Sequence, residues 1–563
     1  MKADTQTYDA IVVGSGITGG WAAKELTEGG LKTLLLERGR PVEHGFDYVG
    51  EHVAPWELPF RGQGDRRLYE KQYPVQSQCY AFGEDTRHFF VNDSENPYAN
   101  DEDKPYSWIR GYQLGGRSIM WARHSYRWSD LDFEANARDG FGVDWPIRYA
   151  DLAPWYDHVE SFAGISGQAE GIPQLPDGKF LPPMEMNCVE RAAREKIVSA
   201  FPDRLMTIGR VAVLTKPLGG REACHYCGPC HRGCSTGSYF CSLSSTLPAA
   251  QATGNLTVRT HSIVHGVVFD EETDRATGVR IVDAVSKKPL EFRAKLVFLC
   301  ASTLGSTHIL LNSKTARFPT GLGNSSGALG HYLMDHTYAA GATAEMPGFE
   351  DRYYSGYRPN GVYLPRFRNV RGQEQEFLRG YGFQGGASRE GWDRGLWAPG
   401  LGAELKQRLR KPGAWRMSFG GFGECLPRYE NYVDLDPERV DDWGIPLLRI
   451  HHVWSDNEDA IRDDIRKTAT ELLEAAGGRD IRAYDRRSPP GLCIHEMGTA
   501  RMGRDPKTSV LNAWCQSHDV PNLFVTDGAA MASSACQNPS LTYMAMTARA
   551  CGHALAEMKR GNL

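Results

Sequence analysis

Apolar positions run without interruption from Tyr8 to Val13 (YDAIVV) and stop at a glycine, a pattern that predicts a short buried strand. A helical pattern follows through Trp21, Ala22 and Leu26, and a second apolar strand covers Leu31 to Leu36, ending at Glu37. Far along the chain, Ala294 to Cys300 (AKLVFLC) repeats the arrangement. It is a buried strand, then the turn Ala301-Ser302-Thr303-Leu304-Gly305, then a helix through Ile309 and Leu310. Between about Gly341 and Ile450 the texture changes, and short runs such as GVYLPRF, ENYVDLD and PLLRIHH alternate with Gly, Pro and Asn. These predict antiparallel strands of a second domain. Asn457 to Ala476 places Ile461, Ile465, Ala469, Leu472 and Ala476 on one helical stripe, and Gly477-Gly478 ends it. A late strand, Asn522 to Thr526, precedes Asp527 and Gly528, and a long helix starts at Ser540. The predicted class is α/β, with a Rossmann-like doubly wound domain and a second α+β domain built on an antiparallel sheet. The first domain is discontinuous, taking residues 1–160, 215–335 and 490–563. The second takes 161–214 and 336–489.

Composition narrows the class. The chain has 563 residues, 41% hydrophobic and 24% charged, which excludes disordered and collagen-like proteins. A net charge of −5 with no long block of one sign argues against nucleic-acid partners and polybasic membrane contacts. The longest uncharged stretch, Gly528 to Ala548, holds Ser533, Ser534, Gln537, Asn538, Pro539 and Ser540, so no membrane span is expected. MKADTQTYDA has an acid at Asp4 and no apolar core, so it does not read as a secretory signal. On its own the chain is expected in the cytoplasm unless another protein carries it out. An odd count of 13 cysteines argues against a disulfide framework.

The first strand–helix–strand unit carries a phosphate-binding pattern. Gly14 permits a tight turn, Gly16 lets a pyrophosphate approach the backbone, and Gly19 lets helix and strand pack closely. Ile17 and Thr18 open the helix whose positive end would hold the phosphates. Glu37, followed by Arg38, lies where a carboxylate accepts hydrogen bonds from an adenosine ribose, and the acid argues against NADP. Arg110 to Ser118 forms a second glycine-rich loop, in which Gly115, Gly116 and Ser118 would let backbone N–H groups approach a flat ring. Such a cradle takes NAD or FAD, and a carboxylate at the end of the late strand, Asp527, is within the chain's reach of the ribityl or pyrophosphate part of FAD.

These pieces, with His495-Glu-Met-Gly498-Thr499-Ala-Arg501-Met-Gly503 and Asn522 to Met546, resemble the glucose–methanol–choline (GMC) oxidoreductases across nearly the whole chain. The resemblance implies an FAD-binding domain with a substrate domain, and oxidation of an alcohol. It completes the candidate FAD contacts with Val264, Ala301, Gly528, Asn538, Pro539 and Thr542. Within the family, the cysteine cluster, Leu333-Met-Asp335-His336 and Pro427 to Val433 look like the catalytic subunits of bacterial sugar dehydrogenases. The run Gly115 to Ser129 is most similar to the glucoside 3-dehydrogenase branch. Some relatives carry a histidine that bonds covalently to the flavin. The matching position here is Met120, a thioether, so FAD is expected to be non-covalent.

Oxidising a secondary alcohol requires loss of a hydride from carbon and a proton from oxygen, and histidine suits the proton transfer because its pKa lies near neutral pH. The resemblance places His495 as the base and Asn538 as its partner at the same substrate oxygen. His336, His451 and His452 have no such context and are read as ordinary core or surface residues.

Cys224, Cys227, Cys230 and Cys234 fall within eleven residues in a C-x2-C-x2-C-x3-C spacing, in an insertion of about 221–241. Such a run holds an iron–sulfur cluster, and four thiolates also make a closed zinc site. Lys216, Arg221, His225, His231 and Arg232 around the cluster outnumber Glu222 and would favour an anionic centre. The resembled dehydrogenases carry a 3Fe-4S cluster, with 4Fe-4S the other form the spacing allows. They also imply a small accessory subunit bearing the export signal, a periplasmic location, and a c-type cytochrome as electron acceptor.

Overall fold

The computed structural model describes residues 3–54, 56–354, 356–396 and 398–563. The first strand, Ala3–Val13, lies parallel between Thr33–Leu36 and Pro289–Leu299, and Leu256–Arg259 extends the sheet beyond Thr33–Leu36. Pro289–Leu299 is long enough to take two partners on its far side. Pro289 to Arg293 pair antiparallel with Gly278 to Val282, whereas Val297 to Leu299 pair parallel with Leu523–Val525. Ser262–Asp270 closes this seven-stranded sheet at the edge. Parallel strands covered on both faces need no polar side, and Ala10, Ile11, Val12, Leu34, Leu35 and Leu36 are all buried accordingly. The helix Ile17–Glu28 packs against Ser540–Lys559, which in turn meets Tyr149–Ala163.

The second sheet is antiparallel, with Arg479–Asp485, Ala340–Glu345, Trp415–Gly423, Tyr381–Arg389, Val362–Leu364 and Thr207–Ile208 in that order. Burial along Trp415–Gly423 alternates strictly, so Trp415, Met417 and Phe419 point inward. They meet the helix Asp456–Ala475, whose Ile461, Ile465, Ala469 and Leu472 form the buried stripe the periodicity predicts. Glu458 closes a capping box on Ser455 at its start, accepting from the Ser455 N–H at 2.8 Å.

One pair of predicted strands does not join this sheet. Tyr432–Val440 and Pro446–His451 form a separate ribbon with the short strand Ala99–Asn100. Their apolar residues Val433, Leu448 and Ile450 belong to the core of the first sheet, because a ribbon must bury its apolar face somewhere and this one meets the helix Thr303–Asn312.

Candidate active site

Both glycine loops, the turn after Pro289–Leu299 and the start of the last helix converge on one cavity of about 420 Å³. Gly14 sits at φ +93°, and a Cβ there would lie 2.5 Å from the Cys300 carbonyl oxygen, so only glycine makes this turn. A Cβ on Gly16, by contrast, would meet no atom within 4 Å and would project into space at the cavity wall. The helix that follows has no side-chain cap at Gly16 and no acid in its first turn, leaving its N–H groups to a ligand anion. The second glycine loop docks directly on the first. The Gly115 N–H donates to Ser15 Oγ at 2.9 Å, and a Cβ on Gly116 would sit 3.4 Å from Gly16 Cα. Ser118 donates to the Gly115 carbonyl at 2.5 Å.

Glu37 ends its strand at the far wall and accepts from the Ser15 N–H at 3.0 Å and the Gly39 N–H at 2.9 Å, while burial pushes its carboxyl above the usual range. Asp527 accepts from the Ser306 hydroxyl at 2.5 Å and the Ala529 N–H at 3.0 Å, and burial pushes it up to about 6. Of the residues singled out from sequence, Gly14, Gly16, Ile17, Thr18, Glu37, Arg38, Gly116, Ser118, Val264, Ala301, His495, Asp527, Gly528, Asn538 and Pro539 line the cavity, as does Met120. Gly19, Gly115 and Thr542 lie behind its wall. Gly19 lets the helix approach the strand, since a Cβ there would fall 1.8 Å from the Gly14 carbonyl oxygen. Thr542 pairs with the Tyr156 hydroxyl at 2.8 Å.

Another part of the cavity wall carries the candidate base and its neighbours. Asn538 Nδ2 lies 3.3 Å from His495 Nε2, and Asn538 Oδ1 accepts from Gln384 Nε2 at 2.5 Å. His495 Nδ1 lies 2.9 Å from His336 Nδ1 and 3.4 Å from Cys493 Sγ. The Asp335 carboxylate accepts the backbone N–H groups of Gly491, Cys493 and His495 at 2.9, 3.2 and 3.1 Å, which pins the loop that carries the histidine. Burial holds His495 well below the ordinary imidazole range, reinforced by His336, Arg117 and His124, and burial lowers His336 to about 4. Both rings are therefore neutral at neutral pH. Arg117 and Glu496 form a two-armed ion pair at 3.2 and 2.8 Å in the cavity wall. Sequence reasoning missed Gln384, Asp335 and the contact made by His336. The motif Leu333 to His336 was visible, but nothing in it names a partner 159 residues away. His451 and His452 stay outside the cavity, as expected: His451 lies beside Asp101 and Asp434.

None of the thirteen cysteines is joined in a disulfide. Cys224, Cys227, Cys230 and Cys234 surround a second, small pocket together with Glu51, His225, Ser238, Tyr239 and Tyr357. Polar groups already lie against two of the sulfurs. The Tyr226 N–H points at Cys224 Sγ at 3.4 Å, and the Thr236 and Ser238 hydroxyls lie 3.3 Å from Cys234 Sγ. Of Lys216, Arg221, His225, His231 and Arg232, only His225 lines this pocket, and burial lowers His231 to about 4, so its ring brings no positive charge at neutral pH. Arg221 donates to the Phe162 and Ala163 carbonyls, and Arg232 pairs with Asp85 and the carbonyls of Gly50 and Val53, so these two build the loop rather than face the sulfurs.

Residues 8–338 and 427–547 match the N- and C-terminal models of one protein family, described as GMC oxidoreductase. The chain is 30% identical to the 2-methyl-1,2-propanediol dehydrogenase of Mycolicibacterium austroafricanum, over 98% of this chain and 95% of that protein. It is 25% identical to the fructose dehydrogenase large subunit of Gluconobacter japonicus, over the full length of both. Among solved structures, an Aspergillus oryzae formate oxidase variant aligns at TM-score 0.63 and 15% identity, covering 99% of this chain and all of that one.

Proposed function

This chain belongs to the GMC oxidoreductase family, and from that premise we propose that it is an FAD-dependent dehydrogenase oxidising a secondary hydroxyl of a sugar or glycoside, at C3 to a 3-keto glycoside. The observation that carries the chemistry is a neutral His495 paired with Asn538 in the wall of a cavity that also holds a dinucleotide cradle. The residues fit FAD. Gly14 to Thr18 offer the pyrophosphate a bare helix N-terminus, Glu37 and Asp527 offer carboxylates to hydroxyls, and Gly116 and Ser118 offer a flat wall. Met120 in that wall fits non-covalent binding. Bound FAD supplies the acceptor for the hydride that leaves the alcohol carbon. His495 Nε2 takes the hydroxyl proton, and the Asn538 amide donates to the same oxygen and holds the C–H bond in line. Arg117 and Glu496 line the chamber as an ion pair.

The four cysteines around one pocket suit an iron–sulfur centre, 3Fe-4S by resemblance while the spacing also allows 4Fe-4S, and such a centre would supply one-electron transfer out of the protein. Its position supports this over structural zinc. Tyr239 forms part of the cysteine pocket and donates through its hydroxyl to the Trp121 carbonyl at 2.8 Å, while Trp121 lines the large cavity, so one hydrogen-bonded pair of residues links the walls of the two sites. With such a centre bound, a c-type cytochrome would be the electron acceptor, and a small accessory subunit would carry the folded chain to the periplasm. A relative named as a large subunit supports such an assembly. Among the described residues no helix is long and apolar enough to cross a membrane.

A second substrate class, a small vicinal diol, is favoured by the name of the 30% identical relative. Anaerobic titration of the holoenzyme with methyl glucoside and with a branched propanediol separates the two. The sugar reading expects flavin bleaching and a changing cluster EPR signal with the glucoside, and a 3-keto product. Bleaching by the diol alone transfers the assignment to diols, and absence of iron removes the electron route.

A further inference from the structure

The groups around the base form a single file with one possible direction. It begins at a backbone carbonyl, which can only accept a hydrogen bond. His336 is fully buried, and its Nε2 contacts the Ala535 carbonyl oxygen, so Nε2 carries the ring's proton. A neutral ring protonated there has a bare Nδ1. That nitrogen faces His495 Nδ1 at 2.9 Å. Two bare nitrogens at this distance would oppose their lone pairs, so His495 must carry its proton on Nδ1, with Cys493 Sγ as a weak second acceptor at 3.4 Å. His495 Nε2 is then the unprotonated nitrogen. It faces the Asn538 side chain, whose Nδ2 donates at 3.3 Å, and Asn538 Oδ1 in turn accepts from Gln384.

We infer that His336 is the positioning residue of the reaction: anchored on the Ala535 carbonyl, it fixes the Nδ1–H tautomer of His495 and so presents Nε2 to the substrate as a ready base. The inference rests on His495 being that base, and it assigns His336 a role outside the hydride and proton transfers themselves. A ring free to carry its proton on Nε2 would present a donor where the substrate hydroxyl must donate, and that fraction of the enzyme would be inert. Burial makes the arrangement durable, because neither ring takes up a second proton near neutral pH.

The test uses holoenzyme with 15N-histidine, in wild type, H336L, H336Q and H495N, with flavin content and anaerobic flavin reduction measured alongside. The resonances of His495 are identified by their loss in H495N. The wild type is expected to show an unprotonated Nε2 at residue 495. H336L is expected to mix the tautomers and to slow flavin reduction roughly 10²- to 10⁴-fold with FAD retained, the range associated with a misprotonated general base. H336Q, whose amide both accepts from His495 and donates to Ala535, is expected to restore most of the rate and the single tautomer. Wild-type reduction by a fully loaded H336L, or a protonated Nε2 in the wild type, overturns the assignment. The second result holds even if H336L fails to fold. Unimpaired reduction by H495N overturns the base itself, and H336L then has no tautomer to disturb, a pattern distinct from failure of the His336 role alone.

Discussion

Gln384, on the strand Tyr381–Arg389 of the second sheet, donates through Nε2 to Asn538 Oδ1 at 2.5 Å, so the substrate-side sheet decides which way the Asn538 amide faces. Its NH2 group is thereby turned to His495. Q384L removes the constraint and Q384E reverses it, since a carboxylate accepts from the Asn538 NH2 and turns Oδ1 toward an imidazole nitrogen that is also an acceptor. Stopped-flow flavin reduction is expected to fall about tenfold in Q384L and further in Q384E, within the roughly 1–3 kcal/mol range for a buried polar group left facing a like one. An unaltered rate in Q384E contradicts the orientation.

The two first-loop glycines are expected to fail in different ways. G14A forces a side chain into φ +93° and against the Cys300 carbonyl, so it should lower Tm and abolish FAD binding together. In G16V the side chain has room and the backbone is extended, at φ −64° and ψ −159°, so the fold should survive while the added bulk occupies the cradle. Circular dichroism with flavin fluorescence after heat release reads both. FAD retained at full occupancy in G16V would place the phosphates elsewhere.

Replacing Cys224 or Cys230 by serine separates the two half-reactions. Iron content and the EPR signal should be lost, flavin bleaching by substrate should persist, and turnover with a cytochrome should stop. Retention of cytochrome turnover without iron, in the same preparations, would falsify the electron route.

His452 offers a clean measure of burial away from the chemistry. Burial lowers it to about 3, with Arg428 adding to the effect, so it stays neutral in the folded protein while the unfolded chain binds a proton below the usual 6.5. Between those values the unfolded state holds more protons, stability rises with pH, and the contribution is lost as pH falls. H452L has no such titration. Its stability relative to wild type should therefore improve by about 1.4 kcal/mol for each pH unit below 6.5, read from urea midpoints across that window. A pH-independent difference between the two proteins rules out a neutral buried His452.

The chain by itself determined whatever depends on neighbours in sequence. Gly14, Gly16 and Gly19 announce a phosphate turn because the turn, the cradle and the helix–strand approach are all made within six residues. The stripe of Ile461, Ile465, Ala469 and Leu472 announces its helix because periodicity is local. The cysteine spacing likewise brings four thiols to one pocket. Tertiary structure alone decided the rest. Whether ENYVDLD and PLLRIHH join the second sheet depended on which apolar surface lay within reach, and they packed on the first core instead. The charges of Arg221 and Arg232 looked available to the sulfurs until the fold turned them to carbonyls and to Asp85. The direction of the proton file from Ala535 to Gln384 depends on five residues drawn from four separate stretches of chain. Hydrogen-bond polarity is a property of contacts in space, and no spacing along the sequence encodes it.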